Sequence, residues 1–292
     1  MTTMPVNLPT ILALDFDGVL CDGLVEYWSA AWRAYCQIWS VSENKLGIET
    51  KNKGIAPNKD CLVKPPEWLP PYFYRLRPVI ETGWEMPILI RALLCGVKTE
   101  DIWERWGEIV REIADSEGIR PQQVEKTLDR TRDRLIEEDL PGWLAMHKFY
   151  PGAIANLQRW LSGASGEARR DVTIITTKES RFVRELLARE GVDFPEHKIF
   201  GKDTRRSKPD ILKNLLSDLP TESQIWFVED RLKTLQLVAS HPQLSQVELF
   251  LVNWGYNTER DRQTAACSDR LHLLSLETFS QPLSVWLPNN HA

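Results

Sequence analysis

The sequence predicts an α/β fold: a doubly wound sheet of five parallel strands, with an all-helical cap inserted directly after the first strand. Three observations predict it. Short apolar runs near residues 10–15, 172–176, 198–200, 224–228 and 247–252 stand apart from one another, and helical patterns separate the later ones. Strands of that kind form parallel sheets covered on both faces. Residues 23–148 lack a convincing strand pattern and instead repeat apolar residues at helical spacing. Finally, Ile11-Leu12-Ala13-Leu14 runs into Asp15-Phe16-Asp17-Gly18. In extended backbone, side chains two apart face the same way, so the two carboxylates share a side while Phe16 packs opposite.

The first strand covers roughly residues 10–15. A helix is expected from Leu24 to about Trp39, on the spacing of Leu24, Trp28, Ala31, Trp32, Tyr35 and Ile38. Residues 41–70 are polar and rich in Lys, Asn and Pro, and read as a loop or insertion. Helical patterning returns over Ile80–Leu94, Ile102–Ile113 and Pro121–Ile136, the last opening on a proline suited to a first helical turn. After Tyr150-Pro151-Gly152 the chain alternates. Helices are expected at 153–162, 179–190, 208–216 and 231–239, with strands between them. The division is therefore a core of 1–22 and 149–292, interrupted by a cap of 23–148.

At 292 residues the chain can bury a substantial core. Its 36 basic and 41 acidic residues leave a formal charge of −5 with no basic run, so neither nucleic acid nor an anionic membrane is expected as a partner. The start, Met1-Thr2-Thr3-Met4-Pro5, lacks a charged region followed by an apolar one, and no apolar stretch is long enough to span a bilayer. Five cysteines (21, 36, 61, 95, 267) are scattered without paired metal-ligand spacing. Reduced, mostly buried thiols in a cytoplasmic protein are expected. The five histidines are equally dispersed, which argues against zinc.

In such folds ligands bind past the carboxyl ends of the strands, and Asp15 lies at one. Two carboxylates that close are costly unless a cation binds them or one holds a proton. The same tetrapeptide also suits a plain strand end with turn-forming aspartates. Three further strand-end or helix-start segments bear on the choice. Ile175-Thr176-Thr177-Lys178 offers a hydroxyl and the free amides of a helix start, which suit phosphate oxygens or a simple helix cap. Arg206-Ser207-Lys208-Pro209-Asp210 puts a cation at a helix start, where the dipole disfavours it, so an anion or carboxylate is expected nearby. Trp226-Phe227-Val228-Glu229-Asp230 ends an apolar strand in adjacent acids that could equally cap a helix.

The order of the four segments resembles that of the haloacid dehalogenase superfamily, over about residues 8–22 and 149–256. Tyr150-Pro151-Gly152 and Trp254-Gly255-Tyr256 are similar to segments of its phosphoglycolate phosphatase-like members. The resemblance implies a Rossmann-like core with a C1-type helical cap. It also implies a Mg2+-dependent phosphatase acting on a small phosphorylated metabolite. Asp15 would be the nucleophile and Asp17 the proton shuttle. Thr176, Thr177 and Lys208 would hold the phosphoryl group. Asp15, Asp17 through its backbone carbonyl, Glu229 and Asp230 would hold the metal. The presence of Asp17 argues against a dehalogenase, whose leaving halide needs no proton.

Two departures qualify the match. Ile211 stands where the third motif often carries a second proline, which leaves Lys202 as a competitor for Lys208. No further acid follows Glu229-Asp230 within Arg231-Leu232-Lys233-Thr234-Leu235. An adjacent Glu-Asp pair resembles the beta-phosphoglucomutase-like branch, so a sugar phosphomutase is the alternative activity, and a non-catalytic regulatory protein a further one. Eight of the twelve tryptophans fall in 23–148 and are expected to build the cap's own core. A narrower expectation is that Trp84, beside Glu81 and Glu85, faces substrate, with Gly83 breaking the helix there. The sequence leaves the oligomeric state open.

Overall fold

The computed structural model describes residues 8–39, 64–163 and 169–287. In chain order the strands are β1 (Ile11–Leu14), β2 (Cys21–Asp22), β3 (Lys148–Phe149), β4 (Asp171–Ile175), β5 (Ile199–Phe200), β6 (Ile225–Glu229), β7 (Val247–Val252) and β8 (Leu271–Leu274). The helices are α1 (Leu24–Ile38), α2 (Leu69–Leu76), α3 (Glu85–Leu94), α4 (Thr99–Ser116), α5 (Pro121–Glu138), α6 (Leu140–Ala145), α7 (Ala153–Ser162), α8 (Ser180–Arg189), α9 (Lys208–Ser217), α10 (Leu232–Ala239), α11 (Glu259–Ala266) and α12 (Leu276–Phe279). The chain forms two compact units, Met1–Asp22 with Lys148–Ala292, and Gly23–His147.

The first unit is built on a six-stranded parallel sheet in the order β5-β4-β1-β6-β7-β8. Strand β1 is central, and from it the chain winds outward in both directions, so the order reverses beside β1. One face of the sheet (Ile11, Ala13, Ile225, Phe227, Leu249, Leu251) packs on residues of α9, α10 and α11. The opposite face carries Trp226 and Phe250, which meet Trp286, and Trp286 in turn meets Trp160 of α7 and Phe279 of α12. Helices on both faces explain why β1, β6 and β7 read as unbroken apolar runs. A second sheet of two short antiparallel strands pairs Cys21 with Phe149 and Asp22 with Lys148.

The sheet has six strands where five are expected. The additional one, β8, is an edge strand with Leu273 exposed and His272 half-buried, so it lacks the continuous apolar run of its neighbours. Its His272 Nε2 reaches Glu248 Oε2 of β7 at 2.9 Å, and that partner holds the Glu248 carboxyl below its ordinary range. The two-residue β2 and β3 are too short to show alternation. Of the four described cysteines, Cys21 and Cys36 are buried but Cys95 and Cys267 are exposed, so the thiols are not mostly buried.

The second unit is helical throughout its described residues. The expected loop at 41–70 falls mainly outside the described residues. Its end instead begins α2, whose Leu-Pro-Pro start masks a helix because proline is tolerated only in the first turn. The expected helix at 80–94 begins later, at Glu85, because Glu85 folds back on the turn before it. Its carboxylate accepts the amides of Glu81 (3.0 Å) and Thr82 (3.2 Å), the Thr82 hydroxyl (2.7 Å) and the Trp106 indole N–H (2.7 Å). Gly83 therefore lies in that turn rather than breaking a helix. Glu81 is exposed and Trp84 half-buried at the start of α3.

Tryptophans do line the core of this unit: Trp32, Trp106 and Trp143 are buried, and Trp28 stacks on Trp32 at 5.8 Å while meeting Phe73 edge-on. In their midst Glu26 of α1 is fully buried. Arg132 of α5 grips it with Nε at 2.6 Å and Nη2 at 3.2 Å, and the Trp143 indole donates to it at 3.3 Å. Burial opposes charge on Arg132, but the Glu26 carboxylate outweighs that and holds the guanidinium above its ordinary value. Removing one partner of a buried pair strands the other. Glu26→Ala should therefore destabilise the protein by about 3–5 kcal/mol, while Glu26→Gln, which keeps one accepting oxygen and the side-chain volume, should cost less. Urea denaturation of the two variants checks this; equal losses would contradict it.

Candidate active site

Four parallel strands end at one edge of the sheet, and each hands its following residues to the same place. Strand β1 delivers Asp15, which is buried; its backbone N–H donates to Val228 O of β6 at 2.9 Å, and its Oδ1 accepts the Phe16 amide at 2.7 Å. Phe16 turns into the interior, edge-on to Phe149 at 5.8 Å, and its carbonyl accepts the amides of Leu20 and Cys21. Asp17 follows after this bend and is only part-buried. At Gly18 φ is +87°, and a Cβ there would overlap the Asp230 carboxylate. Glycine is needed on both counts.

Strand β6 ends in Glu229 and Asp230, both buried. The Glu229 Oε1 accepts the amides of Asp230 and Arg231, each at 3.0 Å, which is the ordinary capping of a chain turn. Its Oε2 faces inward and meets Lys208 Nζ at 2.7 Å. The same ammonium lies 2.9 Å from Asp15 Oδ2. Lys208 is the first residue of α9, held there by the Ser207 cap, whose hydroxyl accepts the Asp210 amide. The unfavourable dipole at that position is offset by two carboxylates. Burial works against the lysine's charge, but Asp15 and Glu229 outweigh it and raise its pKa well above the ordinary range. Lys202, by contrast, is exposed in the turn after β5.

Strand β7 leads to a segment whose role the motifs did not supply. Gly255 lies so close to Asp230 and to the Gly18 carbonyl that any side chain would overlap both. The Tyr256 amide donates to Asp230 Oδ2 at 2.7 Å, and its hydroxyl to Asp22 Oδ1 at 2.8 Å. Asn257 Nδ2 donates to Asp230 O and Val252 O. The Trp254 indole donates to Val19 O at 3.2 Å. The sequence signal was the Trp254-Gly255-Tyr256 run itself, without any indication that it clasps Asp230.

Strand β4 supplies Thr176, buried, and Thr177, exposed. Thr176 Oγ1 accepts the Lys178 amide at 3.1 Å, so it shapes the turn, and α8 starts only at Ser180. Lys178, which the motif reading passed over, is buried and reaches Asp17 Oδ1 at 3.1 Å.

No protein-family model and no curated protein sequence matches this chain. Solved structures do match it along nearly its whole length. A haloacid dehalogenase-like family hydrolase from Streptococcus pneumoniae is 11% identical with a TM-score of 0.50, covering 93% of this chain and 95% of that one. A predicted phosphatase from Clostridium acetobutylicum is 12% identical with a TM-score of 0.51, covering 94% and 97%. The Protein Tyrosine Kinase A of Mycobacterium tuberculosis is 16% identical with a TM-score of 0.50, covering 95% and 99%. The fold is that of the haloacid dehalogenase-like hydrolases. At these identities the likeness is one of fold, and what this chain does has to come from its own residues.

Within that fold, one oxygen each of Asp15, Glu229 and Asp230 can lie within 4.8 Å of one another. Lys208 contacts two of these three buried carboxylates, Asp15 and Glu229. Burial, then the nearby Glu229, pushes the Asp15 carboxyl up to about 8 despite Lys208. Asp230 is raised by burial and then by Asp15, and Glu229 is raised by burial. A hard divalent cation suits this all-oxygen, negatively charged set. Glu229 spends both oxygens on Lys208 and on two amides, and Asp15 spends its own on Lys208 and the Phe16 amide, so an ion there would share these carboxylates with Lys208. Among the described residues no helix is long and apolar enough to cross a membrane.

Because the folded pKa of Asp15 (about 8) exceeds its unfolded value (3.8), the folded chain keeps a proton that the unfolded chain loses between them. That contribution to stability is whole below about pH 4 and is lost as pH rises through about 8. Without added metal, the melting temperature of wild type relative to Asp15→Asn should therefore fall by about 2–4 °C or more between about pH 5 and about pH 8.5. A difference between the two that is constant with pH would contradict the assignment; thermal melts at each pH decide.

Proposed function

We infer that this chain is a Mg2+-dependent phosphatase acting on a small phosphorylated metabolite through an aspartyl-phosphate. One observation carries the reading: Lys208 bridges Asp15 and Glu229 at the sheet edge, with Asp230 alongside and Asp17 two residues on. That grouping would in this reading supply a carboxylate nucleophile, an acid/base and a cation at the point where the strand order reverses. In this reading Asp15 attacks phosphorus, the ester P–O bond breaks, and the leaving oxygen takes a proton from Asp17. Asp17 then receives a proton from the water that attacks the aspartyl-phosphate, and the bond from phosphorus to Asp15 breaks. Thr176, the Thr177 amide and Lys208 are suited to hold the phosphoryl oxygens.

Mg2+ would be held by Asp15, Asp230 and the Asp17 carbonyl, with Glu229 in support. Once bound, it would neutralise charge that otherwise repels an anionic nucleophile from an anionic ester. The raised pKa of Asp15 makes that neutralisation necessary near neutral pH, since only the ionised carboxylate attacks. The near balance of basic and acidic residues, without a basic run, supports a small-molecule substrate rather than nucleic acid. A cytoplasmic location agrees with cysteines that are scattered along the sequence without paired spacing.

The test is a panel of phosphorylated metabolites with purified protein and Mg2+, following inorganic phosphate. Release from at least one compound is expected. Asp15→Asn should lower turnover at least about a thousand-fold, and Asp17→Asn by about 10²–10⁴. Isomer formation without net phosphate release would assign the phosphomutase instead. Full activity in Asp15→Asn would sink the mechanism.

A further inference from the structure

Lys178 has no part in the mechanism above, yet its placement is built with care. It is only 9% exposed, although it sits in the turn between β4 and α8. Its Nζ lies 3.1 Å from Asp17 Oδ1 and 3.3 Å from Oδ2, so the ammonium sits in the fork of that carboxylate. The backbone around it is anchored from the turn after β5. The Lys178 carbonyl accepts the Lys202 amide at 3.0 Å, and Gly201 lies so close to that carbonyl that a side chain would overlap it. Ser180 Oγ accepts the Gly201 amide at 3.1 Å, and Asp203 Oδ1 accepts the Ser180 amide at 2.8 Å. Burying a lysine is costly, and most lysines in exposed turns stay solvated. Here the turn is shaped so that the cation reaches the Asp17 carboxylate.

We propose that Lys178 is a positioning residue that fixes the Asp17 carboxylate in the orientation from which it serves the leaving oxygen. The inference rests on the phosphatase reading and adds a residue to it. The terminal torsion of an aspartate is soft and roughly two-fold. Contact with both oxygens removes that freedom, as a single hydrogen bond does not. Proton transfer is efficient only when donor and acceptor are held in line, so a wandering Asp17 forfeits much of its contribution. The ammonium also offsets negative charge that gathers beside Asp17 as the ester P–O bond breaks and its electron pair moves to the leaving oxygen. Both effects matter most when the leaving group is a poor one that needs its proton early.

The experiment compares kcat/KM for p-nitrophenyl phosphate, a good leaving group, and phenyl phosphate, a poor one. This constant reports phosphoryl transfer to Asp15 and is blind to later hydrolysis of the aspartyl-phosphate. Lys178→Met should lower both, but phenyl phosphate by at least about tenfold more. Lys178→Arg should recover part of that selective loss. Lys178→Gln, with similar length and no charge, is carried alongside in case the methionine variant does not fold, and the same selective loss is expected. Equal losses on the two esters, or a larger loss on p-nitrophenyl phosphate, overturn the role given to Lys178 while leaving the phosphatase reading intact. If wild type with Mg2+ cleaves neither ester in an Asp15-dependent way, the phosphatase reading falls and this inference with it.

Discussion

The site depends on the contact of one ammonium with two buried carboxylates. Lys208 joins Asp15 at the end of β1 to Glu229 at the end of β6, two adjacent strands of the sheet. Without it, both buried acids would lose the ammonium that contacts them. Its requirement reaches outward through the fold. Helix α9 must start where it does, under its Ser207 cap, and the apolar faces of Ile211 and Leu212 must key that helix onto the sheet core. The register of β1 against β6, Leu14 beside Val228, brings Asp15 and Glu229 level with each other.

Even so, the compensation is incomplete. Asp15, Glu229 and Asp230 outnumber Lys208, and burial keeps all three reluctant to ionise. The backbone supplies what the side chains lack: amides of Phe16, Asp230, Arg231 and Tyr256 all point at these carboxylates. Delivering them needs close approach, which is why Gly18 and Gly255 crowd against Asp230. These amides are spent on the carboxylates themselves and keep the acidic cluster tolerable inside the fold.

The site also shows two lysines with separate duties. Lys208 meets Asp15 and Glu229, whereas Lys178 meets Asp17. Each aspartate of the Asp15-Phe16-Asp17 run therefore has its own cation, delivered by a different strand-to-helix or loop-to-helix connection. The helical unit contributes a parallel lesson in burial. Glu26 and Glu85 are tolerated inside a tryptophan-rich core because indole N–H groups, a guanidinium and backbone amides answer them.

Much of this was legible in the residues alone. Apolar runs buried on both faces announce themselves, so β1, β4, β6 and β7 could be read directly, and helical spacing marked α1, α4 and α5. The acids Asp15, Asp17, Glu229 and Asp230 could be marked because charge at the end of an apolar strand is unusual, although their roles rest on chemistry proposed above. What escaped was whatever depends on neighbours distant in sequence. Edge strand β8 is half-exposed and carries no continuous apolar signal. Helix α2 hides behind its prolines. The choice of Lys208 over Lys202, the grip of Lys178 on Asp17 and the clasp of Tyr256 on Asp230 are decided by which turn packs on which. By itself, then, the sequence determined the layered architecture and the kinds of group at the strand ends, because burial and periodicity are local in the chain. Only the tertiary structure decided which cation meets which carboxylate, because pairing is set by strand order and loop packing.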